Sequence, residues 1–118
     1  PQEYLYVSDV LITDISSIFA DYLALNRPVI FIEPQLDVWE MTEICSSSRP
    51  GFIVREPEGL LYAISDSLRN PGRYEHDRKR VFNRLVDKFD GKAAERAADE
   101  VLKLARTHRR TTTITQGV

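Results

Sequence analysis

The sequence predicts an α/β fold, a partial parallel sheet of about three strands with helices between and after them. Three observations carry this. Short apolar runs rich in β-branched residues recur at Val10–Thr13, Val29–Ile32 and Gly51–Val54, the composition of strands buried on both faces. The first and third runs give way to segments whose apolar residues recur at helical spacing. Asn26-Arg27-Pro28 and Asn70-Pro71-Gly72 then supply stop signals. Parallel strands joined through a helix take the right-handed crossover, so the carboxyl ends of the strands point at one crevice.

The elements follow in order. Pro1 to Tyr6 is too short to classify; Tyr4, Tyr6 and Val7 would extend the first strand or pack beneath it. In VSDVLITDISSIFADYLAL, Val7 to Leu25, the strand runs into Asp14, Ser16 and Ser17, where a helix start prefers side-chain oxygens. Ile18, Phe19, Tyr22, Leu23 and Leu25 carry the helix, and Val29–Ile32 completes a βαβ unit with Glu33 and Pro34 at its rim. Pro34 to Pro50 lacks clear periodicity, although Leu36 to Ile44 would suit a helix; a loop of this length at the functional end of a sheet is ligand-binding or simply mobile. After the third strand, Glu56-Pro57-Glu58 opens a helix with Leu60, Leu61, Ile64 and Leu68 on one face. Tyr74 to Phe89 reads as an amphipathic helix with Val81, Phe82, Leu85, Val86 and Phe89 inward and Asp77, Arg78, Lys79, Arg80 and Lys88 outward. Asp90-Gly91 breaks it. A last helix, Ala93 to Ala105, would bury Ala94, Ala97, Ala98, Val101, Leu102 and Ala105. Residues 107–118 are polar and threonine-rich and read as a disordered tail, which leaves residues 1–106 as the domain.

Bulk properties narrow the function. A chain of 118 residues, 42% hydrophobic and 29% charged, fits one small domain. A formal charge of -2 and a pI near 5.7 argue against a general polyanion-binding surface, so no nucleic-acid partner is expected. The single Cys45 excludes an internal disulfide framework, no Cys and His cluster has the spacing of a structural zinc site, and a reducing compartment is the default; no cofactor is expected. No apolar run approaches a membrane span and no signal peptide opens the chain. The sequence begins at Pro1, few residues before the first strand, which reads as a piece of something longer whose site needs a second wall.

The candidate chemistry sits at the first strand–helix junction. Ser16 and Ser17 would hold a diphosphate with hydroxyls and first-turn N–H groups, although capping also accounts for Ser and Asp at a helix start. Asp14 is anionic and would organise the turn with Thr13 as its partner, while Asp21, one turn beyond Ser17, would reach a sugar or glycerol hydroxyl or remain a solvated carboxylate. His76 and His108 sit in no catalytic constellation, Cys45 reads as a plain loop thiol, and Trp39 suits packing better than base stacking. Lys103, Arg106, His108, Arg109 and Arg110 form a basic helix end that offsets the helix dipole, with contact to an anionic membrane surface the lesser reading.

SDVLITDISSIFADYLALNRPVIFIEPQLD resembles the stretch of CDP-glycerol glycerophosphotransferases, the enzymes of teichoic acid synthesis, in which a sequence like DVLITDYSS precedes a helix and RPVIF. FDGKAAERAADEVL, Phe89 to Leu102, looks like the segment that closes the same family's C-terminal domain, and the two in order cover most of Ser8 to Leu104. The resemblance implies the C-terminal, Rossmann-like half of a glycosyltransferase-B fold, the half that holds the nucleotide-diphosphate donor. Carried over by position, Ser16 and Ser17 would contact the diphosphate of CDP-glycerol, and Thr13, Asp14 and Asp21 would shape the pocket. No metal is implied. The catalytic residues and general base would lie outside this stretch, so the fragment alone would not turn over. A lipid-linked polymer would be the acceptor, at the inner, cytoplasmic face of the membrane. Ile15 stands where the family motif has an aromatic residue, EICSSSRPG replaces the expected arginine-glycine-aromatic segment, and Phe52 stands at the second proline of PGP; these differences bear on the donor group. A related polyol phosphate donor, a UDP-sugar glycosyltransferase of the same fold and a noncatalytic α/β assembly module stay open as alternatives. Exposed edge strands make a homodimer of the fragment a further expectation.

Overall fold

The structure, a computed structural model, describes residues 2–14, 16–32 and 49–116, with side chains as far as Arg109. In order the elements are α1 (Gln2–Val7), β1 (Leu11–Thr13), α2 (Ile18–Leu23), β2 (Val29–Ile32), β3 (Phe52–Val54), α3 (Glu58–Arg69), α4 (Glu75–Leu85) and α5 (Ala93–Gln116). They fall into two compact units, Pro1–Val86 and Asp87–Val118.

In the first unit the three strands form a parallel sheet in the order β1-β2-β3, with Leu11 opposite Val29 and Ile30 opposite Phe52. The central strand is apolar at every position because helices cover both of its faces. Val29 and Phe31 point into one cluster with Leu5, Tyr22, Leu23 and Val81, from α1, α2 and α4. Ile30 points the other way, against Val54 and Ala63 of β3 and α3. Burying such side chains contributes roughly 1.5–3 kcal/mol each. Phe19 of α2 meets Phe31 edge to face, with ring centroids 5.5 Å apart. Gly51 lets β3 approach β2, since a β-carbon there would stand 1.9 Å from the Val29 carbonyl oxygen.

Four elements differ from the sequence reading. The first residues form α1 rather than a strand extension: Leu5 alone is buried, and Tyr4, Tyr6 and Val7 are exposed. Its end is capped from afar, because the Arg27 guanidinium donates to the Tyr6 and Ser8 carbonyls at 2.7 and 2.8 Å. Helix α3 turns its Ala63, Asp66 and Ser67 inward and leaves Leu61 and Leu68 exposed, since an ion-paired aspartate can occupy a site that hydrophobicity alone assigns to leucine. Helix α4 stops at Leu85, with Val86 extended and Phe89 exposed, and it buries Arg78, which was expected to face out.

The second unit holds α5, which continues to Gln116 through the segment expected to be a disordered tail. Arg and Lys are good helix formers, and the Thr107 hydroxyl returns a bond to the Lys103 carbonyl at 3.0 Å instead of breaking the helix. Ala94, Ala97, Ala98, Val101, Leu102 and Ala105, expected to be buried, are exposed. Gly91, at φ 73°, supplies the left-handed turn before the helix, and the Arg96–Asp90 ion pair closes over it. Among the described residues no helix is long and apolar enough to cross a membrane.

Candidate functional site

All three strands run parallel, so their carboxyl ends, at Thr13, Ile32 and Val54, open on the same side of the sheet. Ligands in open α/β sheets bind at that end. There the Thr13 and Ser16 hydroxyls lie 3.3 Å apart, and the Thr13 hydroxyl reaches Asp14 Oδ1 at 3.5 Å. The structure thus brings Thr13, Asp14 and Ser16 together, as the sequence suggested. Asp14 is exposed.

Ser17 precedes α2 with a helical backbone, φ -61° and ψ -16°, and makes no side-chain capping bond. A capping side chain needs an extended backbone to reach back to the first-turn amides. The Ser17 hydroxyl is therefore left for another partner, and it is exposed. The first turn is tightened by Phe19 N–H to the Ser16 carbonyl at 3.4 Å and Ala20 N–H to the Ser17 carbonyl at 3.0 Å. Asp21 is exposed on α2, four residues beyond Ser17. Ile15, Trp39 and Cys45, with the Leu36 to Ile44 stretch expected to suit a helix, lie outside the described residues. His76 is exposed at the start of α4, on the element whose packed face holds Arg78 and Val81. Among the described residues no group of His, Cys, Asp and Glu could hold a metal ion.

What holds this junction in place is a set of polar contacts behind it. The Tyr22 hydroxyl, on a fully buried side chain, donates to the Ser8 carbonyl at 2.9 Å, and the Ser8 hydroxyl donates to the Leu5 carbonyl at 3.1 Å. At the far end of α2, Asn26 turns the chain with φ 51°. Its side-chain oxygen accepts from Arg78 Nε at 3.1 Å, its carbonyl accepts from Arg78 Nη2 at 3.2 Å, and the same nitrogen donates to the Pro71 carbonyl at 2.7 Å. Asn26 Nδ2 in turn donates to Glu75 Oε1 at 3.3 Å. Burial pushes the Arg78 pKa down, and the nearby Glu75 carboxylate opposes that shift. Sequence reasoning missed this centre; the available signal was an asparagine, tolerant of the left-handed region, directly before Arg27-Pro28.

Residues 2–103 match the family described as CDP-Glycerol:Poly(glycerophosphate) glycerophosphotransferase. The chain belongs to that family. Among curated members, it is 30% identical over 104 residues to the teichoic acid poly(ribitol-phosphate) polymerase of Bacillus spizizenii, covering 85% of this chain and 16% of the relative. It is 28% identical over 102 residues to the teichoic acid glycerol-phosphate transferase of Staphylococcus aureus, covering 82% of this chain and 26% of the relative. Among solved structures, a variant of the wall teichoic acid polymerase TagF superposes with a TM-score of 0.65 at 26% identity, over 92% of this chain and 28% of that one. The fold expected for the glycerophosphotransferase family, an α/β parallel sheet of the glycosyltransferase-B kind, is the fold found. The chain spans about a quarter or less of the length of these two curated relatives.

Proposed function

We propose that this chain is the donor-binding part of a transferase that moves glycerol phosphate, or a related polyol phosphate, from a CDP carrier to a teichoic-acid-like polymer. Family membership supports the reaction class. The observation that carries the site is the hydroxyl cluster of Thr13 and Ser16 at the carboxyl end of β1, beside an uncommitted Ser17. In this reading Ser16 and Ser17 donate to the diphosphate, Thr13 and Asp14 hold the loop in shape, and Asp21 faces the polyol. An acceptor hydroxyl attacks the phosphorus that bears the glycerol, the phosphoanhydride bond breaks, and CMP leaves with the electron pair. The fixed donors at the junction stabilise the charge that develops there. The proton of the attacking hydroxyl passes to a base outside residues 1–106, and the chain alone does not turn over.

The same reading places the whole enzyme on the cytoplasmic face of the membrane, where a lipid-linked polymer presents its end. Residues 1–106 are the donor-binding domain in this proposal. Self-association of the chain through the outer edges of β1 and β3 belongs to it as well, because these are the two edge strands of the sheet among the described residues, and edge strands invite pairing.

The test is amide-resolved NMR titration of the chain with CDP, CDP-glycerol and UDP, on the wild type and on Ser16→Ala/Ser17→Ala. Saturable shifts centred on Thr13 to Asp21, at least about tenfold weaker in the double variant, are expected, since a hydrogen bond to a charged group is worth about 1.5–3 kcal/mol. A preference for UDP would replace the CDP carrier with a UDP-sugar. Shifts that saturate elsewhere and ignore both serines would overturn the site.

A further inference from the structure

A cavity of about 390 Å³ lies at the amino ends of the strands, across the sheet from the Thr13–Asp21 junction. Its walls are Asp9 before β1, Arg27 and Pro28 before β2, Ser67 and Leu68 in the last turn of α3, and Pro71 in the link that follows. All of them belong to the first unit. Ser67 is 4% exposed, and among the described residues its hydroxyl has no hydrogen-bond partner. Buried polar side chains nearly always find a partner, so a hydroxyl left this way beside an unfilled volume points to a molecule that enters it. The charges around the cavity are not paired with each other. Arg27 commits Nη1 to the Tyr6 and Ser8 carbonyls and keeps the N–H groups of Nε and Nη2, while the exposed Asp9 has no ion-pair partner among the described residues. The side chain of Asn26, also at the rim, is already committed to Arg78 and Glu75.

We propose that this cavity binds an uncharged polyhydroxyl compound. A hydroxyl both donates and accepts, so neighbouring hydroxyls of one small molecule donate to the Asp9 carboxylate, accept from Arg27 and pair with Ser67. The carbon chain that carries them rests on Pro28, Leu68 and Pro71. Other ligand classes match part of this lining and conflict with the rest. An anion is repelled by Asp9 and by the carbonyl end of α3, where the helix dipole is negative. A simple cation is repelled by Arg27. A wholly apolar molecule would cover the Ser67 hydroxyl without satisfying it. No residue from Thr13 to Asp21 borders the cavity, so the inference stands apart from the donor-site reading, and its failure would leave that reading intact.

Amide-resolved NMR titration of the 118-residue chain with glycerol, ribitol and methyl glucoside tests the site. At least one of these probes should give saturable shifts at Asp9, Arg27 and Ser67–Arg69 in the millimolar range, with the Thr13–Asp21 amides unmoved. Ser67→Ala should weaken that binding about fivefold, and Asp9→Asn about tenfold, since the second bond is to a charged group. Without ligand, Ser67→Ala should melt no lower than wild type, because it removes an unsatisfied buried hydroxyl and places a better helix former in α3. That melting temperature separates a binding hydroxyl from a structural one. No saturable shift with any of the three probes overturns the inference and leaves the cavity to water. Binding indifferent to Ser67→Ala overturns it too, as does a Ser67→Ala variant that melts well below wild type. Saturation of the same amides by butylammonium or inorganic phosphate, but by none of the polyhydroxyl probes, would also refute the assigned chemistry.

Discussion

Replacing Arg78 with methionine should be among the most damaging single changes in the first unit. The side chain is 2% exposed, and its guanidinium is the common donor to two oxygens of Asn26 and to the Pro71 carbonyl. It thereby ties the turn after α2 to the link between α3 and α4. Methionine keeps the apolar stem but strands those three acceptors. A hydrogen bond to a charged group is worth about 1.5–3 kcal/mol, and the contributions do not add fully, because Pro71 is exposed and water can replace one donor there. The expected loss is about 3 kcal/mol, a large share of the roughly 5–15 kcal/mol that a domain of this kind possesses. Arg78→Lys keeps the charge and one bond but not the planar fork, and should cost about half as much. Arg80→Met, on the exposed side of the same helix, should change stability by no more than about 0.5 kcal/mol. Urea titrations followed by circular dichroism measure all three, with an unchanged m-value showing that the unfolded state is not the cause. An Arg78→Met variant within about 1 kcal/mol of wild type, or no worse than Arg80→Met, would refute the reasoning.

Three further outcomes follow from particular contacts. Gly51→Ala sets a β-carbon 1.9 Å from the Val29 carbonyl oxygen, so β3 must move away from β2 by about 1 Å or more; the expected result is a loss of about 3 kcal/mol with hydrogen-exchange protection vanishing first at Phe52–Val54, and preserved protection there would contradict it. Asn26→Ala should be about 1 kcal/mol worse than Asn26→Gly, because both lose the side-chain bonds to Arg78 Nε and Glu75 while only alanine resists φ 51°; equal midpoints in urea would count against it. The Asp66 carboxyl is held below the usual carboxylate range chiefly by hydrogen bonding to Arg73, with Asn70 assisting and burial opposing. A lowered folded-state pKa means that this stabilisation is complete above the ordinary carboxylate pKa and disappears as pH falls through the lowered one. Arg73→Gln should therefore flatten the acid limb of the stability–pH curve, and an unchanged limb would dissociate Asp66 from Arg73.

The parts of this chain that were legible in sequence are those whose physics is local. Val29–Ile32 reads as a doubly buried strand because every residue in it is apolar, and the hydroxyls after β1 read as a junction because strand composition stops where helical spacing begins. Burial of polar groups is not local. Arg78 and Asp66 sit in sequence contexts indistinguishable from solvated helix faces, and their inward placement depends on acceptors or donors at Asn26, Pro71 and Arg73 that become neighbours only in the fold. The same cause misassigned the α3 face. Periodicity finds a stripe through Leu61 and Leu68, yet rotation of the helix was decided by the Asp66–Arg73 pair together with the close contact of Ala63 beneath β3. The strand–helix junction of the proposed donor site escapes this problem because the hydroxyls it gathers are carried by residues within one turn of each other. The frame that aims it does not, since a 52-residue separation lies between the arginine and the asparagine that fix the end of α2. A substitution at Asn26 or Arg78 should consequently disturb the Thr13–Asp21 amides in an NMR spectrum without touching them, and that spectral coupling would separate a preorganised junction from a loop ordered only by its ligand.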